Sequence, residues 1–214
     1  MTGASWSRTV FERMYEHHPD PWGFRTRAYE RDKYHATLSL LAGRHFHHAL
    51  ELGCSIGVMT AQLARQCARI TAVDVAEAAL KRARHRCAGL TGISFYRGQL
   101  PEAFPPLPPH GCDLILISEL LYFLTPQDIG HLATKCLHVR QAGAPVMLVN
   151  WTGPTDTPCH GDEAAGYFID QCVAGGMRVV HARRHPRYRL DVLNDAPHCR
   201  QPGASHAGGR SWRE

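Results

Sequence analysis

Short apolar runs alternate along this chain with longer stretches of helical period, and that alternation limits what the chain can fold into. Strands are expected at 49–52, 70–75, 93–96, 113–118 and 144–150, with two late ones at 178–182 and 188–193. Between them, Met59, Leu63 and Cys67 recur at helical spacing over 58–68, and Leu80, Ala83 and Cys87 do so over 77–87. Thr125-Pro126 reads as an N-cap with proline at the first helical position, leading into the stripe Ile129, Leu132, Ala133, Cys136 and Leu137. A further helix at 162–174 closes on Gly175-Gly176. Strand and helix in turn imply an α/β fold, a Rossmann-like doubly wound sheet that is mostly parallel and covered by helices on both faces.

Composition excludes several other classes. The chain has 214 residues, 44% of them hydrophobic and 20% charged, which is enough to bury a core. Its most apolar stretch, 114–124, is interrupted by Glu119 and falls short of the roughly 18 residues of a membrane span. The first fourteen residues mix Trp6, Arg8, Glu12 and Arg13 and carry no apolar signal segment, so a cytoplasmic protein without a membrane partner is expected. The net charge of +5 lies wholly from Arg178 onward, which argues against a nucleic-acid reader. From Asn194 to Glu214 periodicity is lost, and a disordered basic tail is expected after one domain over 1–193.

The eight cysteines stand at least 13 residues apart, so they form no CxxC pair and read as reduced thiols, mostly buried. His45-Phe46-His47-His48 is the densest group of the fifteen histidines; it has no acidic or cysteine partner nearby in sequence, and no metal is expected.

In a doubly wound sheet, ligands bind beyond the carboxyl ends of the strands. The first such end reads Leu50-Glu51-Leu52-Gly53-Cys54-Ser55-Ile56-Gly57, and Asp74 follows Gly53 by twenty-one residues at the end of the second strand. An acid at that distance is placed to accept both hydroxyls of a ribose. A dinucleotide loop needs glycines at 53, 55 and 58, where Ser55 and Val58 fail. The S-adenosylmethionine loop needs an acid at 51 and glycines at 53, 55 and 57, where only Ser55 departs. S-adenosyl-L-methionine is therefore the expected cofactor, ahead of NAD and a dinucleotide oxidoreductase.

With these residues in hand, the chain resembles the class I S-adenosylmethionine-dependent methyltransferases and, more narrowly, the nodulation protein S family. The matching stretches are Asp20-Pro21-Trp22-Gly23-Phe24, Tyr29-Glu30-Arg31-Asp32-Lys33-Tyr34, 49–60 and 113–124. The resemblance implies a seven-stranded sheet whose last strand is antiparallel. It also implies that Glu51, Gly53, Cys54, Ser55 and Gly57 cradle the methionine end of the cofactor, that Asp74 and Val75 hold the ribose, and that Gln99 and Leu100 lie at the adenine. Gln99 stands where many such enzymes have an acid, but its carbonyl oxygen still accepts from an amino group. Trp22, Tyr29 and Tyr34 resemble the family's lid, in a segment of about 11–44.

Ser118 and Glu119, after the fourth strand, stand where cofactor and acceptor meet in the family. There the acceptor is an amine of a de-acetylated glucosamine unit in a chitin-like oligosaccharide. An amine must be neutral to attack, and Glu119 is the first candidate for the base, His160 the second. Tyr122 and Trp151 are candidates for substrate contact, with core packing as the alternative for both. The acceptor rests on analogy, since fold does not fix substrate. A methyltransferase for another small metabolite, or a non-catalytic S-adenosylmethionine-binding protein, is the alternative reading. The oligomeric state and any partner beyond a small-molecule or amino-sugar substrate are not legible.

Overall fold

The computed structural model describes residues 4–196. Two helices come first, α1 (Arg8–His17) and α2 (Ala28–Ser39). Then follow β1 (Phe46–Leu52), α3 (Val58–Leu63), β2 (Cys67–Asp74), α4 (Glu77–Arg86), β3 (Ile93–Arg97) and β4 (Leu114–Ser118). A single 3-10 turn at Leu121–Phe123 leads to α5 (Pro126–Val139), β5 (Val146–Trp151), α6 (Gly161–Ala174), β6 (Met177–Arg184) and β7 (Tyr188–Asp195). The seven strands form one sheet in the order β3-β2-β1-β4-β5-β7-β6, with β7 antiparallel to both of its neighbours.

Unbroken apolar runs form the central strands because both of their faces are covered. All five residues of β4 are buried, and their period of two divides them between two core layers. Leu114 and Leu116 join Ala49, Ala72 and Met147 on one face, under Tyr34, Met59 and Leu63. Ile115 and Ile117 join Leu50, Leu52 and Leu148 on the other, under Ile129 and Cys136 of α5 and Phe168 of α6. As its sequence implies, α5 starts at Thr125, whose hydroxyl accepts the Asp128 amide at 3.2 Å.

Several boundaries differ from the sequence reading. The first strand begins at Phe46, so His47 and His48 lie inside β1; their backbone amides donate to the Asp113 carboxylate at 2.7 and 2.8 Å. Among the described residues, no three His, Cys, Asp or Glu side chains group as ligands of a metal. Helix α3 stops at Leu63 after six residues, and Cys67, assigned to its apolar face, is the first residue of β2. Register explains this, since parallel pairing extends back to Phe46 opposite Cys67. Seven free cysteines are described, all buried except the half-buried Cys67. Asn194 and Asp195, expected in the tail, pair with Arg178 and Met177 in the last sheet ladder, and Asp195 forms an ion pair with Arg140. The rest of that expected tail, 197–214, lies outside the described residues. None of the described helices is long and apolar enough to cross a membrane.

The strand order also locates a crevice. β1 is flanked by β2 on one side and β4 on the other, so the loops leaving β1 and β4 diverge. Such a switch point is where doubly wound sheets bind ligands.

Candidate active site

The glycine loop closes tightly over the ends of three strands. Gly53 sits at φ +84°, and a Cβ there would lie 3.0 Å from the Ser118 carbonyl oxygen, so no other residue fits without displacing the end of β4. The Gly53 and Cys54 amides both donate to the Val73 carbonyl at 2.9 Å. Ser55 takes a left-handed conformation at φ 51°, which costs a residue with a Cβ roughly 1–2 kcal/mol. Two bonds offset that cost: its amide donates to Asp74 Oδ2 at 2.8 Å, and its hydroxyl meets the Tyr15 hydroxyl at 2.5 Å. Serine therefore preserves the turn that the motif assigns to glycine.

Asp74 holds the loop from the end of β2. Its second oxygen accepts the Ala76 amide at 2.9 Å. Burial pushes its carboxyl up to about 6, against the pull of the Ala76 and Ser55 amides. Each carboxylate oxygen retains a lone pair for a ligand hydroxyl.

A cavity of about 540 Å³ opens at this point. Gly53, Ser55, Asp74, Val75, Gln99, Leu100 and Ser118 line it from the sheet side, as the sequence reading places them. Glu119, Tyr122, Trp151, Trp22 and Tyr29 also line it, among other residues that include Trp6, Phe11, Tyr15, Arg27, Glu30 and Arg187. Gln99 Nε2 donates one hydrogen to the Trp6 carbonyl at 3.0 Å, which orients the amide and leaves Oε1 to accept. The site residues thus suit an adenosyl group: a carboxylate for the ribose, an amide oxygen for the adenine amino group, and a cradle that a Cβ would fill.

Glu119 is held more firmly than a free base would be. One oxygen accepts from the Lys33 ammonium at 2.5 Å; the other accepts from the Tyr122 hydroxyl at 2.7 Å and the Trp151 amide at 2.9 Å. Lys33 is only 2% exposed and also pairs with Glu30 at 2.8 Å. Burial works against the Lys33 charge, but Glu119 and Glu30 together outweigh it and raise the ammonium above its usual range. Glu30, Lys33 and Glu119 therefore form a buried triad with two acids and one base. The sequence reading gave Glu30 and Lys33 no role, although an acid and a lysine three residues apart on a helix was a visible signal. Phe11, Met14 and Tyr15, also at helical spacing, pointed likewise to α1.

Five expected site residues lie elsewhere. Glu51, Cys54 and Tyr34 line a smaller space beneath the loop, and Tyr34 packs in the core rather than over the main cavity. Gly57 caps α3, where its missing side chain lets Ala83 of α4 approach; an added Cβ would come within 2.9 Å. His160 is an exposed N-cap of α6 whose amide donates to Glu163 at 3.1 Å, and it does not line the cavity. A helix start needs a residue in extended conformation there, which accounts for His160 without catalysis.

Glu51 is 2% exposed, its Oε2 has no hydrogen-bond partner, and burial pushes its carboxyl up to about 8. Because the folded value lies above the ordinary 4.5, folding takes up a proton between the two. The stability so gained is complete below about pH 4.5 and is lost as pH rises through about 8. Glu51→Gln is expected to remove this slope. Urea denaturation from about pH 5 to about pH 9 measures it, and identical slopes in both proteins would show that Glu51 is ionised throughout.

The sheet order with antiparallel β7, and an acid–glycine loop at the switch point, define the fold of the class I S-adenosylmethionine-dependent methyltransferases. The model of the family Nodulation protein S (NodS) matches residues 7–141, and the chain belongs to that family. It is 31% identical to Nodulation protein S of Sinorhizobium fredii over 141 residues, covering 65% of this chain and 63% of that one. The match spans between 43% and 63% of the length of three such nodulation proteins. A 99-residue match, 29% identical, links it to Phosphoethanolamine N-methyltransferase 3 of Arabidopsis thaliana, covering 46% of this chain and 20% of that protein. Among solved structures, N-methyltransferase NodS from Bradyrhizobium japonicum in complex with S-adenosyl-L-homocysteine superposes with a TM-score of 0.74 at 20% identity, covering 88% of this chain and 97% of the other.

Proposed function

We propose that this protein is an N-methyltransferase that moves a methyl group from S-adenosyl-L-methionine to an amine of an amino sugar or glucosamine oligosaccharide. One observation carries the reading: groups at the ends of β1, β2 and β3 suited to an adenosyl moiety share a single cavity with a buried pair of acids. Bound there, the cofactor would supply an electrophilic methyl group on a sulfonium. Asp74 would accept from the ribose hydroxyls, Gln99 Oε1 from the adenine amino group, and the Gly53 turn would leave room for the methionine end. Trp22, Tyr29, Tyr122 and Trp151 supply apolar walls that exclude water, and Trp151 presents a face for a sugar ring. Since in-line displacement depends on alignment, most of the catalysis lies in this positioning.

A second reading, N-methylation of a smaller amine that also carries an anion, is favoured by Arg27 and Arg187 in the cavity wall. Incubation with S-adenosylmethionine and either a glucosamine tetramer or phosphoethanolamine, followed by mass spectrometry, separates the two. Methylated tetramer supports the first and methylated phosphoethanolamine the second. Binding of the cofactor product with no methylation of any amine would leave a non-catalytic binding protein.

A further inference from the structure

Glu30 and Glu119 both line the cavity and share Lys33, and the geometry distinguishes them. Glu119 accepts from three donors, Lys33, Tyr122 and the Trp151 amide. Glu30 is 5% exposed and lines the same cavity, and its Oε2 has a single close partner, the shared Lys33 ammonium at 2.8 Å, where Glu119 has three. Resting on the methyltransferase reading above, we infer that Glu30 is the proton acceptor for the amine, while Glu119, whose two oxygens are occupied by three donors, is a positioning residue.

The chemistry balances with this assignment. The acceptor enters as an ammonium and passes one proton to the Glu30 carboxylate. The freed nitrogen lone pair forms the N–CH₃ bond; the S–CH₃ bond breaks and its electrons remain on sulfur, which becomes neutral. The product is a methylammonium, and the proton on Glu30 returns to solvent. Burial raises the Glu30 carboxyl above its usual range, the direction that favours uptake of a proton. The charged and titratable groups around it act in both directions. Lys33 and Arg27, on and beside α2, lower it, and Glu119 after β4 raises it. Tyr29, Tyr34 and Tyr122 stay protonated in the same field, their hydroxyls raised by burial and by the acids.

The test compares wild type, E30Q and E30D for methyl transfer to the glucosamine tetramer and phosphoethanolamine, alongside S-adenosylhomocysteine binding. E30Q keeps the side-chain volume and leaves Lys33 paired with Glu119, so it is expected to fold and bind S-adenosylhomocysteine as wild type does. Its kcat is expected to fall by roughly a hundred-fold or more with KM little changed, and E30D to recover part of the loss. Carbon-13 NMR of protein labelled at the glutamate carboxyl gives a readout independent of turnover. One signal, absent in E30Q, is expected to titrate above the exposed glutamates in wild type. Equal turnover by E30Q and wild type, or a Glu30 signal that titrates with the exposed glutamates, would overturn the assignment alone. Wild type that binds S-adenosylhomocysteine but methylates neither amine would overturn the methyltransferase reading and this inference with it.

Discussion

Asp74→Ala is expected to weaken S-adenosylhomocysteine binding by a factor on the order of a hundred or more. The side chain would accept both ribose hydroxyls, and bonds to a charged acceptor contribute about 1.5–3 kcal/mol each, against about 1.4 kcal/mol per tenfold in affinity. It also holds the Ser55 and Ala76 amides, so its removal frees the turn that shapes the cradle. Loss of the loop adds to loss of the ribose contacts. The same residue sets a pH dependence. With its carboxyl raised to about 6, wild-type affinity is expected to be level above that pH and to fall as pH drops through it, because the protonated acid accepts less well. Calorimetry on the folded variant checks both; unchanged affinity would place the ribose elsewhere.

Lys33→Met is the second large effect, and it acts on stability. The ammonium is the common partner of Glu30 and Glu119, and its removal leaves two buried acids facing one another. Removing one partner of a buried pair costs about 3–5 kcal/mol, which for a chain of this size lowers Tm on the order of 10 °C. The deficit should shrink on acidification, as Glu30, already raised by burial, takes up a proton. Adding Glu30→Gln should recover part of it for the same reason. Thermal melts at neutral and mildly acidic pH measure both. A melt within a degree or two of wild type would mean that water reaches the triad and that it is not a buried charge cluster.

The triad also shows why parts of this molecule were legible in its sequence and others were not. Strands and the helix α5 are read easily because their buried faces are apolar; Ile129, Leu132, Ala133 and Cys136 repeat at the period of the element they form. In α2 the buried positions are Glu30, Lys33, Tyr34 and Thr37, the spacing of a core-facing stripe filled mostly by polar groups. A hydropathy reading finds no face there, because Glu30 and Lys33 pair with each other, Thr37 donates to the Lys33 carbonyl, and only Tyr34 joins the apolar core. Composition cannot reveal such pairing; only the resemblance drew attention to the segment. Helix α3 misled in the opposite way. Cys67 continues an apolar period that the chain abandons at Leu63, because pairing with β1 outweighs one further helical contact.

The candidate site divides along the same line. Gly53, Ser55 and Asp74 line the cavity because a motif with fixed spacing places them at strand ends and topology brings those ends together; Gln99, which the resemblance alone singled out, lines it too. Gly57 belongs to the same motif yet serves helix packing, a role that sequence spacing cannot separate from cradling a ligand. For His160 only proximity to other polar residues argued a role, and a helix start explains it. Glu119 lines the cavity, but its hydrogen-bond partners lie 86, 3 and 32 residues away in sequence, out of reach of any local spacing.

One measurement bears most directly on the central claim, that the turn at Gly53 and Ser55 with Asp74 forms an S-adenosylmethionine site. It is a calorimetric titration of the full chain with S-adenosylhomocysteine, with NAD run as the control. Saturable binding of one S-adenosylhomocysteine per chain in the micromolar range, with no heat from NAD, is the predicted result. Binding of NAD, or of neither ligand, would contradict the account.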